Sequence, residues 1–159
     1  MNTIKYPYLP EGKTILYVDL SNEYMALARA FALEHSLDDS IQTGAVIIDG
    51  GNLISTGANG SNYHKEHGCE RVRLNIPTGQ QYELCDGCNP KNHAEAKAIT
   101  KATEAGISVT GMDLYLWGHW WCCEPCWNSI ISGGIRDVYL LEGSDRLFNP
   151  KFPENIIGK

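Results

Sequence analysis

The sequence predicts an α/β protein, a three-layer α/β/α sandwich around a central mixed sheet of about five strands. Three observations predict it. Two apolar, partly β-branched runs, Thr43 to Asp49 and Leu53 to Thr56, flank Gly50-Gly51, which is the pattern of a β-hairpin. Two more apolar runs of strand length occur at Met112–Trp117 and Asp137–Leu141. Each follows a helix-like stretch closed by glycine: His93 to Ala105 before Gly106, and Cys123 to Ser132 before Gly133-Gly134. Strands alternating with helices in this way bury a sheet on both faces.

Taken in order, residues 1–20 read as an N-terminal arm, with Pro7 and Pro10 early and Thr14-Ile15-Leu16-Tyr17-Val18 later. The later part is either a short strand or a segment packed on a neighbour. Ser21 or Asn22 caps a helix with Glu23 in its first turn. Tyr24, Leu27, Ala28, Phe31 and His35 then recur at i, i+3, i+4, i+7 and i+11, an amphipathic pattern ending near Ser36. Gly57-Ala58-Asn59-Gly60 follows the hairpin, where a glycine-flanked Asn is either a turn or an amide presented to a pocket. Residues 61–92 form an irregular insert, long enough that a functional or specially supported loop is expected. In the helix after His93, Ala94, Ala98, Ile99 and Ala102 face the sheet and Lys97 and Lys101 face outward. Pro125 sits in the first turn of the next helix, where a missing N–H costs nothing. The tail, 143–159, reads as mostly irregular, and the whole chain, 1–159, as a single domain.

Composition narrows the function. A chain of 159 residues, 43% hydrophobic and 20% charged, is long enough for a real core. No apolar run approaches the length of a membrane span, and Met1 to Pro10 lacks the apolar core of a secretory signal, so a cytoplasmic protein with no membrane partner is expected. A net charge of −6 argues against nucleic acid as a partner. It leaves room for a small anionic substrate, which needs only a local cluster of donors. Six cysteines in a reduced compartment point to metal binding or catalysis ahead of disulfides. They fall into two groups, Cys69/Cys85/Cys88 and Cys122/Cys123/Cys126.

The chemistry gathers in His93-Ala94-Glu95 and Cys123-Glu124-Pro125-Cys126. Cys-x-x-Cys at a helix start offers two thiolates to one metal, and one further ligand leaves a fourth tetrahedral position for water, the pattern of a catalytic zinc. His93, Cys123 and Cys126 are the candidate ligands; Cys122 could replace Cys123, although Cys123 keeps the two-residue gap. On a helix of roughly 100° per residue, Glu95 would point about 160° away from His93, free to work beside the metal. Cys85-Asp86-Gly87-Cys88 is a second Cys-x-x-Cys. With Cys69 and one of His64 or His67 it makes a closed four-ligand set of the structural zinc type; the alternative is free thiols packed in the insert.

These residues resemble the zinc-dependent cytidine and deoxycytidylate deaminase superfamily, whose signature is H-x-E followed by P-C-x-x-C. The likeness continues through Gly44–Ile48, Gly57–Gly60, Leu114-Tyr115-Leu116, Ile130–Ile135 and Val138-Tyr139, covering about residues 21–142. It is nearest to the deoxycytidylate (dCMP) deaminases, because of Asn59-Gly60 and the Cys-containing insert. Two features depart from it. The family's proline before the first Cys is Cys122 here, and the segment from Tyr115 to Cys123 is longer and carries Trp117, His119, Trp120 and Trp121.

The resemblance implies a zinc-activated water that attacks C4 of a cytosine while Glu95 shuttles protons to the ring nitrogen and the leaving amine. It implies substrate contacts from Asn59 and from the Ala94 N–H, and a second zinc in the insert, as some dCMP deaminases carry. His119 and Trp121 are candidate pocket residues, and Arg71, Arg73 and Lys91 candidate phosphate donors. The leading expectation is dCMP to dUMP plus ammonia in a homo-oligomer, hexamer or dimer, with dCTP and dTTP as effectors. The alternatives are a deaminase of cytidine, a free base or a modified cytosine, and a non-catalytic zinc-stabilised scaffold.

Overall fold

A computed structural model describes residues 9–38, 41–76, 80–149 and 151–156. In chain order the elements are β1 (Ile15–Val18), α1 (Glu23–His35), β2 (Gly44–Asp49), β3 (Asn52–Ala58), α2 (Tyr63–His67), α3 (Glu70–Arg73), α4 (Ala94–Glu104), β4 (Asp113–Trp117), α5 (Glu124–Gly133), β5 (Asp137–Leu141) and α6 (Ser144–Leu147). The five strands form one mixed sheet in the order β1-β5-β4-β2-β3. The hairpin β2–β3 is antiparallel, with a register shift between Ile47 and Ile48. β2 runs antiparallel to β4, and β4, β5 and β1 run parallel. Of the segment Thr14 to Val18, Ile15–Val18 thus resolves as an edge strand of this sheet, Ile15 opposite Val138.

Alternation along the strands makes two cores, one per face. Ala45, Ile47, Leu114, Leu116, Val138 and Leu140 meet Ala94, Ala98 and Ala102 of α4 and Cys126, Trp127 and Ile130 of α5. Val46, Ile48, Tyr115, Trp117 and Leu141 meet Met25, Ala28 and Ala32 of α1 together with Phe148. Each fully buried Leu or Ile here stabilises by about 1.5–3 kcal/mol. The three layers expected from the sequence are present. The stripe expected on α1 is only partly the buried one: Ala28 is buried as expected, but Leu27 is 42% exposed, and Met25 and Ala32, outside the expected stripe, are fully buried. Small residues at Ala28 and Ala32 let α1 lie close to β2, which the larger Leu27 and Phe31 would hold off.

α4 lies still closer to the sheet. A Cβ on Gly57 would stand 2.2 Å from the Ala94 carbonyl oxygen and 2.6 Å from the Ala98 nitrogen. This contact sets the start of α4 over the end of β3. β4 delivers the chain through Gly118–Cys122 to the start of α5, so both helices begin on the same side. The insert is not wholly irregular: it contains α2, α3 and three 3₁₀ turns, Tyr82–Leu84, Asp86–Cys88 and Pro90–Asn92. In the tail, α6 is followed by turns, and Phe148 packs edge-on against Trp117 at 5.0 Å between ring centroids. Among the described residues no helix is long and apolar enough to cross a membrane.

Candidate metal centre and active site

His93 and Cys123 are the N-cap residues of α4 and α5, and neither side chain caps its own helix. The position usually given to Ser, Thr, Asp or Asn carries a ligand instead, which aims each side chain past the helix end. His93 Nδ1 lies 3.4 Å from Cys123 Sγ and 3.3 Å from Cys126 Sγ. Zinc bonds of about 2.0–2.3 Å place tetrahedral N and S ligands roughly 3.6–3.8 Å apart, so the three donors are already near ligand spacing. The facing Cys126 thiol lowers Cys123 to about 5, and the same contact raises Cys126 well above the thiol range; metal binding would displace the protons the pair still holds. Burial pushes His93 down, but the hydrogen bond and charge of Cys123 outweigh it and leave it raised.

His93 has extended backbone, φ −75° and ψ 151°, so the helical-wheel angle expected between His93 and Glu95 does not apply. Glu95 is in the first turn of α4, is 5% exposed and lines the same cavity as His93 and Cys123. Burial raises its carboxyl, and the nearby His93 pulls it back. Cys122 is fully buried; its thiol lies beside the Glu95 carboxylate and does not join the ligand group. Burial, then the Glu95 charge, pushes that thiol well above its ordinary value.

The cavity is also lined by Asp38, Thr43, Asn59, Ala94, Arg71, Tyr82, His119 and Trp121. His119 Nδ1 accepts from the backbone N–H groups of Trp120 and Trp121, at 3.0 and 3.2 Å. That assigns its proton to Nε2. Burial, with His93 adding to it, holds the ring neutral by lowering it to about 3. Trp120 stacks on the ring at 4.5 Å and Trp121 meets it edge-on. The Asn59 amide is bonded to the fold: Oδ1 accepts from Thr43 N and Ser36 Oγ, and Nδ2 donates to Ile41 O. Of the three candidate phosphate donors only Arg71 lines the cavity; Arg73 pairs with Glu70 at 2.9 Å. Tyr82 and Asp38 carried no sequence signal, because both stand in irregular segments where no periodicity marks a facing side chain.

A second cluster borders the cavity. The donor atoms of His64, Cys69, Cys85 and Cys88 lie within 4.8 Å of one another, with His64 Nε2 3.3 Å from Cys85 Sγ and Cys69 Sγ 3.5 Å from Cys88 Sγ. Three thiols and one imidazole suit a closed zinc site. His67 does not take part: it is exposed, 3.8 Å from Glu66, with its ring against Tyr63. The choice falls on His64 because Gly87 admits its ring, where a Cβ would come within 2.7 Å of it. Burial drives Cys88 up to about 12; it opposes the fall of Cys85, yet the His64 hydrogen bond brings that thiol down to about 7.

Residues 19–142 match the family model described as the cytidine and deoxycytidylate deaminase zinc-binding region. Among solved structures the chain is similar to the apo dCMP deaminase of cyanophage S-TIM5, at 24% identity over 74% of this chain and 78% of that one, TM-score 0.51. It is also similar to a diaminohydroxyphosphoribosylaminopyrimidine deaminase/5-amino-6-(5-phosphoribosylamino)uracil reductase of Thermotoga maritima (22%, 74% and 28%, TM-score 0.47). A guanine deaminase of Bacillus subtilis is a third (23%, 75% and 63%, TM-score 0.44). No curated protein matches the chain. At these identities the likeness is one of fold.

Proposed function

The chain belongs to the cytidine and deoxycytidylate deaminase zinc-binding family, and from that premise we propose that it hydrolyses a cytosine nucleotide, dCMP, to dUMP and ammonia. The observation that carries this reading is the buried Glu95 carboxylate in one cavity with three converging donors, His93, Cys123 and Cys126. Zinc bound there would act as a Lewis acid that makes water a nucleophile near neutral pH.

The residues of the chain do the rest. Glu95 takes one proton from the water as its oxygen bonds to C4 and gives it to the neighbouring ring nitrogen. It then takes the second proton from the new C4 hydroxyl and gives it to the amine, so that the C–N bond breaks, C4=O forms and ammonia leaves. Its burial suits this work, because a carboxyl raised towards neutrality both accepts and returns a proton. The first N–H groups of α4 have no side-chain cap, so that of Ala94 is available to the base. His119, fixed as the Nε2–H tautomer, presents a donor, and Trp121 supplies an aromatic wall. Arg71 is the one guanidinium or ammonium among the residues lining the cavity, and it favours the phosphorylated substrate over the nucleoside. Asn59 also lines the cavity. The cluster of His64, Cys69, Cys85 and Cys88 would hold a second, structural zinc.

A second reading, deamination of another amino-heterocycle, draws on Cys122 and the Trp-rich wall, which depart from the family pattern. The zinc-loaded full chain, assayed for ammonia release on dCMP, CMP, deoxycytidine, cytosine and guanine, separates the two. The expected result is the highest kcat/KM on dCMP, with Glu95→Gln losing about 10²–10⁴ in turnover and retaining its zinc. No release from dCMP beside clear release from another base would overturn the dCMP reading.

A further inference from the structure

The two clusters meet in one residue. Cys88 places its Sγ among the donors of the second cluster, 3.6 Å from His64 Nε2 and 3.5 Å from Cys69 Sγ. Its backbone carbonyl lies beside the His93 ring, placed to accept a hydrogen bond from it. Because His93 Nδ1 faces Cys123 and Cys126, the nitrogen placed to donate is Nε2. A metal-binding His is commonly oriented by such a bond from its other ring nitrogen, and removing that partner costs about 10- to 100-fold in metal affinity. Here the orienting carbonyl belongs to a ligand of the other metal.

The chain between the clusters has little slack. Cys88 N bonds Cys85 O, Asn89 N bonds Asp86 O, Asn92 N bonds Asn89 O and His93 N bonds Pro90 O, each between 2.8 and 3.1 Å. These are successive short turns, cross-braced where Asn92 Nδ2 donates to Asp86 O and Gly87 O. Arg71 adds a side tie, its Nη1 3.2 Å from Cys88 Sγ and its Nε on Gln80 O. Its guanidinium lies over the Tyr82 ring, and that ring stands edge-on to His93 at 5.0 Å. Short 3₁₀ turns bury little and hold weakly alone, so the position of the Cys88 carbonyl depends on what grips its sulfur.

We propose that Cys88 is a positioning residue that couples the two metal centres: filling the His64/Cys69/Cys85/Cys88 cluster fixes the carbonyl that aims His93, and so tightens zinc binding at His93/Cys123/Cys126. The inference rests on the reading that both clusters hold zinc.

Cys69→Ser tests it, because it withdraws a ligand of the second cluster while leaving Cys88, His93 and the cavity lining in place. His64→Asn serves as a second variant should the first not fold, with circular dichroism reporting the fold. Zinc per chain is measured on wild type and variant, and each zinc is titrated out with a chelator. Cobalt substitution tells the centres apart, since one has three thiolates and the other two. The expected result is two zincs in the wild type and one in the variant, the remaining ion released at about 10- to 100-fold lower chelator concentration. A remaining ion held with wild-type affinity would overturn the coupling. A wild type with only one zinc, bound at His93/Cys123/Cys126, would overturn its premise instead, and the two failures are told apart by the metal count.

Discussion

The thiol of Cys122 lies beside the carboxylate of Glu95, and both side chains are buried. A carboxylate that shuttles protons has to meet water, ring nitrogen and amine in turn, so its orientation matters as much as its charge. Cys122→Ala removes this neighbour without touching the ligands. The expected outcome is a fall in kcat between about 10- and 100-fold, little change in KM, and unchanged zinc per chain. A variant that loses zinc in step with activity would assign Cys122 to the metal instead.

Arg71→Gln should weaken discrimination by phosphate. A hydrogen bond to a charged group is worth about 1.5–3 kcal/mol, which corresponds to roughly 10- to 100-fold. The ratio of kcat/KM for dCMP over deoxycytidine is expected to drop by that factor. Metal analysis of the same sample checks that Cys88, which Arg71 also touches, still binds.

His119 makes stability depend on pH with a definite sign. Its folded value is lowered from 6.5 to about 3, so protons bind the unfolded chain in preference. Its contribution is complete above about pH 6.5 and is lost progressively as the pH falls towards 3. In His119→Asn the amide oxygen replaces Nδ1 as acceptor and nothing titrates. The gap in Tm between wild type and variant should therefore narrow on going from pH 7 to pH 5. A gap that widens would contradict a neutral, buried ring.

Asn59 holds three loop partners, and Asn59→Ala leaves the Thr43 N–H and the Ile41 carbonyl without theirs. A destabilisation of about 2–4 kcal/mol is expected, read as a lowered Tm with the zinc retained. A loss confined to KM, with Tm unchanged, would mean that the substrate is the amide's main partner.

Much of the site was legible because its signals are short in range. His93-x-Glu95, Cys123-x-x-Cys126 and Cys85-x-x-Cys88 declare a chemistry by spacing alone, and the glycine pair at 50–51 declares a hairpin. The strands β4 and β5 and the ends of α4 and α5 followed from apolar runs and glycines to within a residue or two. The buried stripe of α1 was only partly legible, since Leu27 and Phe31 fit the helical period as well as Met25 and Ala32 do. The choice between His64 and His67 turned on Gly87, a residue that offers no side chain to read.

By itself the sequence determined the set of residues from which metal ligands could be drawn, the carboxylate two positions from His93 and four of the five strands, because these depend on neighbours a few positions apart. Only the tertiary structure decided that β1 joins β5, that Cys122 faces Glu95 and that one carbonyl of Cys88 reaches His93. Those contacts join segments whose separation along the chain carries no pattern, and they arise only when both faces of the sheet are packed.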